Sequence, residues 1–518
     1  MSDVPLGNGD GVGVVSTPDT EHFRTDHLLH NIGHRAVSGG VVTVSAQAAK
    51  FVLNFAAAAV LARLLSPKEF GLVGMVLGVT GLVGIFKELG LSTATVQRET
   101  ITQQQVSNLF WINVAISGIL AVFSLGLAPL VAWFYRDPRV AGIMLALSLT
   151  FLLTGSTVQH QALLTRQMRF RTLAVVDVTS ILIGFATACV LAWFGFAYWA
   201  LVAQQLVYAT ASLVLTWCAS GWRPSMPKRK SGVRPMVNFG AHLTVADLIG
   251  RLSVNSDNIL IGRFFGAVPL GLYTRANVLL ARPLDQVLTP ISAVLIPVLS
   301  RLHSDPERYR RTFLRAYDAL ALVTFPFAAM CLVLSQPLVL VVLGPRWTSV
   351  IPLFSAFALV AISSPLSAVS SWMFESQGRG RDQLHNHTLA GAVTVGAFWV
   401  GLRWGPHGMI LALAFTSLVI RLPIVSYMAG RRGPVSTRDL WIGFFSNLPC
   451  WGAVYLTTTL AYMTVEHAAP IVQLLVCVPA GLGAGAALIF LFRRPRASAS
   501  FAWNTVKSSL VRQWSGAA

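Results

Sequence analysis

Six lysines and arginines stand inside long apolar runs of the chain: Lys50, Lys87, Arg251, Arg275, Arg282 and Arg421. A charge at the middle of a bilayer costs about 2.5–3.5 kcal/mol on insertion scales. A cation retained there therefore faces a water-filled cavity or a partner. The neighbouring polar residues have helical spacing. Thr43, Gln47, Lys50 and Asn54 fall on one stripe of a helix, and so do Asp247, Arg251, Asn255 and Asn258. Arg275, Arg282, Gln286 and Thr289 share a face, and Lys87 stands beside Glu88. Lysine and arginine offer charge-assisted hydrogen bonds to an anion, arginine as a planar fork and lysine as a point charge. The candidate binding residues are thus Lys50, Lys87, Arg251, Arg275 and Arg282, with Gln47, Asn54, Asn255 and Gln286 beside them. Asp247 with Arg251 at i,i+4, and Arg282 with Asp285 at i,i+3, could instead be neutralised structural pairs. Lys87 could snorkel to the interface. Lys50 and Arg275 have no local carboxylate, which favours a binding role for them. Asp177 and Asp318 are candidate ion-coupling carboxylates. Asp318 is also expected near a helix start, where an acid complements the helix dipole.

The elements that must position these residues follow from composition. The 518 residues are 54% hydrophobic and 11% charged, with a mean hydropathy of +0.64. Soluble domains carry about 25% charged residues, so a soluble enzyme and a disordered chain are both excluded. The expected class is all-α and polytopic. A span needs about 20 apolar residues, and such runs lie near 36–62, 70–91, 106–134, 140–165, 173–194, 197–218, 237–261, 270–299, 313–335, 350–374, 386–403, 407–429, 441–463 and 470–492. That predicts fourteen transmembrane helices, with Pro337 to Gly344 as a loop or re-entrant piece. Of the 39 lysines and arginines, 26 fall on the two tails and the even-numbered loops and 7 on the odd-numbered loops. (Arg315 and Arg403, at run boundaries, are counted with their loops.) The asymmetry predicts both termini in the cytoplasm of an inner-membrane protein. It also accounts for most of the net charge of +19, so nucleic acid is not an expected partner.

The chain repeats itself. Arg63-Leu64-Leu65-Ser66 leads to Phe70-Gly71-Leu72, and 200 residues later Arg263-Phe264-Phe265-Gly266 leads to Leu270-Gly271-Leu272. Each copy sits between the first and second helices of its half. The expected organisation is a tail (1–35), a six-helix lobe (36–218), a basic linker (219–236), a second six-helix lobe (237–429), a basic loop (430–440), a terminal helix pair (441–492) and a cytoplasmic tail (493–518). Two like-oriented repeats flanking a site are a transporter architecture. The same offset puts Lys50 next to Arg251, one cation at matching depth in each half.

These stretches, with Pro67-Lys68-Glu69, Leu89-Gly90-Leu91-Ser92-Thr93-Ala94, Gly262, Tyr273 and Pro297-Val298-Leu299-Ser300-Arg301-Leu302, carry a resemblance. Over roughly residues 36–430 the chain resembles polysaccharide exporters of the multidrug/oligosaccharidyl-lipid/polysaccharide flippase superfamily, in the colanic-acid and succinoglycan branch. The resemblance implies a carrier of undecaprenyl-pyrophosphate-linked oligosaccharide, with two six-helix lobes around a central cavity. It also implies a polysaccharide polymerase and a chain-length regulator as candidate partners, beside membrane lipid. In related lipid II flippases the first, second, seventh and eighth helices line the cavity with basic residues. Here the same helices hold five of the six buried cations, which would receive the pyrophosphate. A lipid II flippase is the nearest alternative. A drug/cation antiporter of the same superfamily would need acidic groups where this chain has Lys and Arg. A membrane glycosyltransferase would need a large loop with paired carboxylates, and the longest internal loop is about 18 residues.

No nucleotide-binding glycine loop, zinc pattern or nucleophile–base arrangement is present, so neither a cofactor nor an enzymatic activity is expected. Cys189, Cys218, Cys331, Cys450 and Cys477 form no CxxC and read as apolar fillers. No cleavable signal peptide is evident in residues 1–20. His27, His30 and His34 read as juxtamembrane residues. Trp503, Val506, Leu510 and Trp514 mark an interfacial amphipathic helix. Pro283, Pro290 and Pro297 recur every seven residues along the eighth run and are expected to bend it.

Overall fold

The computed structural model describes residues 32–84, 91–98, 101–228 and 257–491, with the backbone alone over 32–44 and 489–491. Among the described residues the structure is helical, with no strand. The long helices are α1 (Ile32–Leu64), α2 (Pro67–Val83), α3 (Gln103–Tyr135), α4 (Arg139–Arg166, interrupted at 156–157), α5 (Phe170–Trp193) and α6 (Tyr198–Ser220). The second half holds α7 (described over 257–265), α8 (Ala267–Arg301), α9 (Pro306–Val333), α10 (Ile351–Ala361 and Ser364–Ser376, bent by 43°), α11 (Gly380–Gly401), α12 (405–430), α13 (Thr437–Thr464) and α14 (Pro470–Leu491). Among the described residues these follow the apolar runs in order, the seventh run (237–261) being described only from 257. Nine stretches among the described residues are long and apolar enough to cross a membrane, and the longest of them, Gly380–Gly430, covers both α11 and α12. The Pro337–Gly344 segment is not a loop throughout. It is mostly a short helix, Ser335–Val342, that continues from α9.

Local chemistry sets the helix starts. Pro67 occupies the first turn of α2, where its missing N–H costs nothing, and the Ser66 N–H donates to Glu69. Thr102 and Gln105 form a reciprocal capping box at α3, as Ser436 and Asp439 do at α13. Gly266 precedes α8 at φ +84°, a region that a Cβ disfavours. Pro283, Pro290 and Pro297 all lie within α8, which stays helical through 35 residues.

Packing repeats after six helices. α3 packs on α4 and α5 on α6, as α9 packs on α10 and α11 on α12. α2 meets α4 as α8 meets α10, and α2 and α8 join the two halves. The first residues of the basic linker are not free loop. Residues 221–228 lie along α3, where Asn108 Nδ2 donates to the Lys228 carbonyl and Trp111 Nε1 to that of Ser225.

The terminal pair docks on the second half. α13 packs on α9 and α14 on α13, and the Arg310 guanidinium grips Asp439 through Nε (2.9 Å) and Nη2 (2.6 Å). Gly443 gives this interface its closeness, since a Cβ there would lie 2.5 Å from Tyr317 Cε1. Gly452, on the same helix, has open space. Gly443→Ala is therefore expected to lower stability by about 1–3 kcal/mol, the usual range for overpacking, and Gly452→Ala to leave it unchanged. Thermal melting of the detergent-solubilised protein separates the two.

Candidate functional site

α8 presents two contrasting faces. Leu280, Leu284, Leu295 and Leu299 are buried against the protein. Arg282, Asp285, Gln286 and Thr289 form an exposed stripe over two turns. A lipid-facing surface would not hold an arginine, an aspartate and a glutamine in succession, because hydrocarbon cannot solvate them. Arg282 and Asp285 do not form the i,i+3 pair that their spacing allows, for no ion pair within 4 Å links them. The Arg282 guanidinium is exposed and makes no ion pair within 4 Å among the described residues, with Asp285 still within its electrostatic reach.

α1 touches α8 and carries polar residues of its own. Gln47 and Asn54 are exposed, and Asn54 Nδ2 donates to the Lys50 carbonyl at 2.8 Å. Lys50 has a partner that its own helix does not reveal. Its Nζ lies 2.6 Å from Asp177 Oδ2 on α5, with both side chains about one quarter exposed. The expectation of an unshielded Lys50 is corrected accordingly. Their separation of 127 positions hid the pair, which forms because α5 packs along α1. A cation and a carboxylate otherwise stranded in the bilayer each lower the other's desolvation cost.

Arg275 is also corrected. It does not join the exposed stripe with Arg282. Its guanidinium lies 4.3 Å over the Phe70 ring of α2, and Nε is enclosed without a hydrogen-bond partner. This places it in the seam between the halves, in cation–π contact. Asp318 is not at a helix start. α9 begins at Pro306, so Asp318 lies about three turns in, buried against α13, where Asn447 Nδ2 donates to it at 3.2 Å. Arg421 is half-buried in a π-helical turn of α12. Lys87, Asp247, Arg251 and Asn255 lie outside the described residues, as do the side chains of Thr43, His27, His30 and His34 and the amphipathic segment around Trp503. The five cysteines are free, and Cys331, Cys450 and Cys477 are buried as fillers. No group of three metal-ligating side chains occurs among the described residues.

A helical bundle whose packing repeats after six helices, with α2 and α8 joining the halves, has the architecture of a multi-pass membrane transporter. Solved structures agree in fold. The lipid II flippase MurJ in an inward closed conformation aligns with a TM-score of 0.68 at 13% identity, covering 88% of this chain and 99% of that one. An inward-facing multidrug resistance transporter of the MATE family aligns at 0.56 and 15%, covering 80% and 98%. The chain belongs to the polysaccharide biosynthesis protein family, whose profile matches residues 60–352. Among relatives, the succinoglycan biosynthesis transport protein ExoT of Rhizobium meliloti (strain 1021) is 26% identical over 82% of this chain and 85% of its own length. The lipopolysaccharide biosynthesis protein WzxC of Escherichia coli (strain K12) is 23% identical over 81% and 87%. The teichuronic acid biosynthesis protein TuaB of Bacillus subtilis (strain 168) is 27% identical over 57% of this chain, and the match spans 62% of TuaB. The protein is a transmembrane transporter of polysaccharide biosynthesis.

Proposed function

We propose that this protein flips polyprenyl-pyrophosphate-linked oligosaccharide repeat units across the cytoplasmic membrane for a cell-surface polysaccharide. The observation that carries the reading is the exposed polar stripe of α8, headed by Arg282, which has no ion-pair partner among the described residues. A pyrophosphate brings about two negative charges to such a face, and the sugar brings hydroxyls suited to Gln47, Asn54 and Gln286. Arg251 and Lys87 are proposed to complete the cationic lining. Lys50 and Asp177 pair at 2.6 Å between α1 and α5, and the pair is assigned here to the same substrate path. A phosphate competing for Lys50 would free Asp177 for a proton or ion, which gives Asp177 its proposed coupling role. Asp318 is held in the α9–α13 interface, where Asn447 donates to it.

Both termini are assigned to the cytoplasm by the Lys/Arg asymmetry, and the α1–α2 turn to the outside. With two lobes rocking about the seam, the polyprenyl tail remains in lipid while the head crosses. Moving two negative charges out of a negative interior releases about 4–5 kcal/mol per 100 mV, enough to drive transport without a nucleotide. A polymerase and a chain-length regulator would then take the product at the outer face.

The test is a strain that lacks this gene and keeps its glycosyltransferases. It is expected to lose surface polysaccharide and to accumulate the lipid-linked oligosaccharide on the inner leaflet. Normal surface polysaccharide, or a gain of resistance to organic cations on expression, would support the antiporter reading instead.

A further inference from the structure

The repeated motif has a geometry that its sequence alone does not disclose. A Cβ on Gly71 would lie 1.7 Å from the Ala267 carbonyl oxygen, and a Cβ on Gly271 would lie 1.9 Å from that of Pro67. Residues 67 and 267, and 71 and 271, are equivalent under the 200-residue offset. The contact therefore maps onto itself when the halves are exchanged, as at a two-fold axis. Only glycine permits backbones this close.

The motif arginines follow the same rule. Arg63 Nη2 donates to the Val341 carbonyl at 2.7 Å, in the segment joining α9 to α10. Arg263 stacks 5.4 Å from the Phe134 centroid, at the end of α3 where the chain turns into α4. Each arginine thus reaches the third-to-fourth helix junction of the opposite half. Further contacts seal the seam. Trp347 Nε1 donates to the Ala62 carbonyl at 2.7 Å, and Phe70 packs edge-on against Trp347 while Arg275 covers its face. Gly262 lies against Tyr135 and Met75. These contacts lie along the starts of α2 and α8, whereas the exposed stripe of α8 lies further along that helix.

We infer that the Arg-x-x-small-x-x-x-apolar-Gly-Leu motif is a two-fold clasp that shuts the α1–α2 side of the carrier and must part for the head group to leave. The design suits a reversible seal. The central contact is backbone on backbone, with no long side chain to withdraw, and one arginine on each flank holds the other half. Arg275 supplies a buried cation at the closed end, so an arriving anion has a group in the seam to draw away from Phe70.

The inference rests on the proposed function for the head group that passes and for the membrane face the clasp closes, whereas the labelling readout tests the clasp itself. The test places Thr274→Cys in the seam, where Thr274 Cγ2 lies 3.9 Å from the Cβ position of Gly74, in a chain whose five native cysteines are replaced by alanine. An impermeant maleimide is applied to intact cells. Gly71→Val and Gly271→Val are each expected to speed labelling by roughly tenfold or more, a shift that favours the open state by about 1.4 kcal/mol, and to depress export. Gly74→Ala, with a nearest contact of 3.6 Å, should change neither. Arg63→Ala and Arg263→Ala, which add no bulk, should speed labelling to a lesser and mutually similar degree, so the idea stands or falls even if the valine variants misfold. Unchanged labelling in both arginine variants overturns the clasp. A large effect from one half with none from the other overturns its two-fold character. Faster labelling confined to inside-out vesicles supports the clasp and reverses its membrane orientation.

Discussion

Arg282→Glu is expected to abolish export at normal expression, Arg282→Gln to reduce it severely and Arg282→Lys to retain part. The order follows from the exposed position of Arg282 and the absence of an ion pair with Asp285. Hydrogen bonds to charged groups contribute about 1.5–3 kcal/mol, so loss of the guanidinium should weaken binding by roughly 10- to 150-fold. Glutamate adds repulsion toward a phosphate that glutamine lacks. Lysine keeps the point charge without the fork. The exchange Arg282→Asp with Asp285→Arg discriminates the structural alternative. If the two residues acted as a helix staple, the exchange would restore function. Since they are not paired within 4 Å in the structure, export is expected to stay low. Export assays at matched protein levels, scored by surface polysaccharide, read all four variants, and rescue by the exchange would remove Arg282 from the binding face.

Lys50 and Asp177 call for a different design, because each neutralises the other. Lys50→Ala strands a partly enclosed carboxylate. Breaking a fully buried pair costs about 3–5 kcal/mol, and with both side chains about one quarter exposed to solvent the cost here should be roughly 1–3 kcal/mol after screening. The single variant is therefore expected to lose both stability and export. The double variant Lys50→Ala with Asp177→Ala should recover the melting temperature, since no orphan charge remains. If Lys50 also binds the substrate phosphate, export stays lost in that stable double variant. Export restored together with stability would assign the pair a purely structural role. Measuring melting and export side by side keeps a folding defect from being read as a binding defect.

How much of this was readable before folding differs from residue to residue. Gly71 and Gly271 were visible as a repeat, because equivalence along the chain is a property of letters. That they meet one another's half, with Arg63 and Arg263 crossing to opposite junctions, was not, because a linear offset carries no information on which surfaces face. Arg282 and Gln286 were correctly grouped by helical spacing, since a 3.6-residue period is local. Arg275, two turns earlier, belonged to the same sequence face and went elsewhere. The approach of Phe70 from α2 covers it, and that contact joins residues 205 positions apart.

By itself the sequence determined the all-α class, the order of the apolar helices and the six-helix repeat. Each depends on composition or short-range periodicity, which the bilayer enforces segment by segment because an unsatisfied backbone cannot cross it. Tertiary structure alone decided which of the described cations are free. Lys50 met Asp177, Arg275 met a ring, and Arg282 closed no ion pair within 4 Å among the described residues, although all three are basic residues in apolar helices. The reason is that the energy of a charge in a membrane depends on what lies within a few ångströms, and those neighbours come from helices far away in the chain.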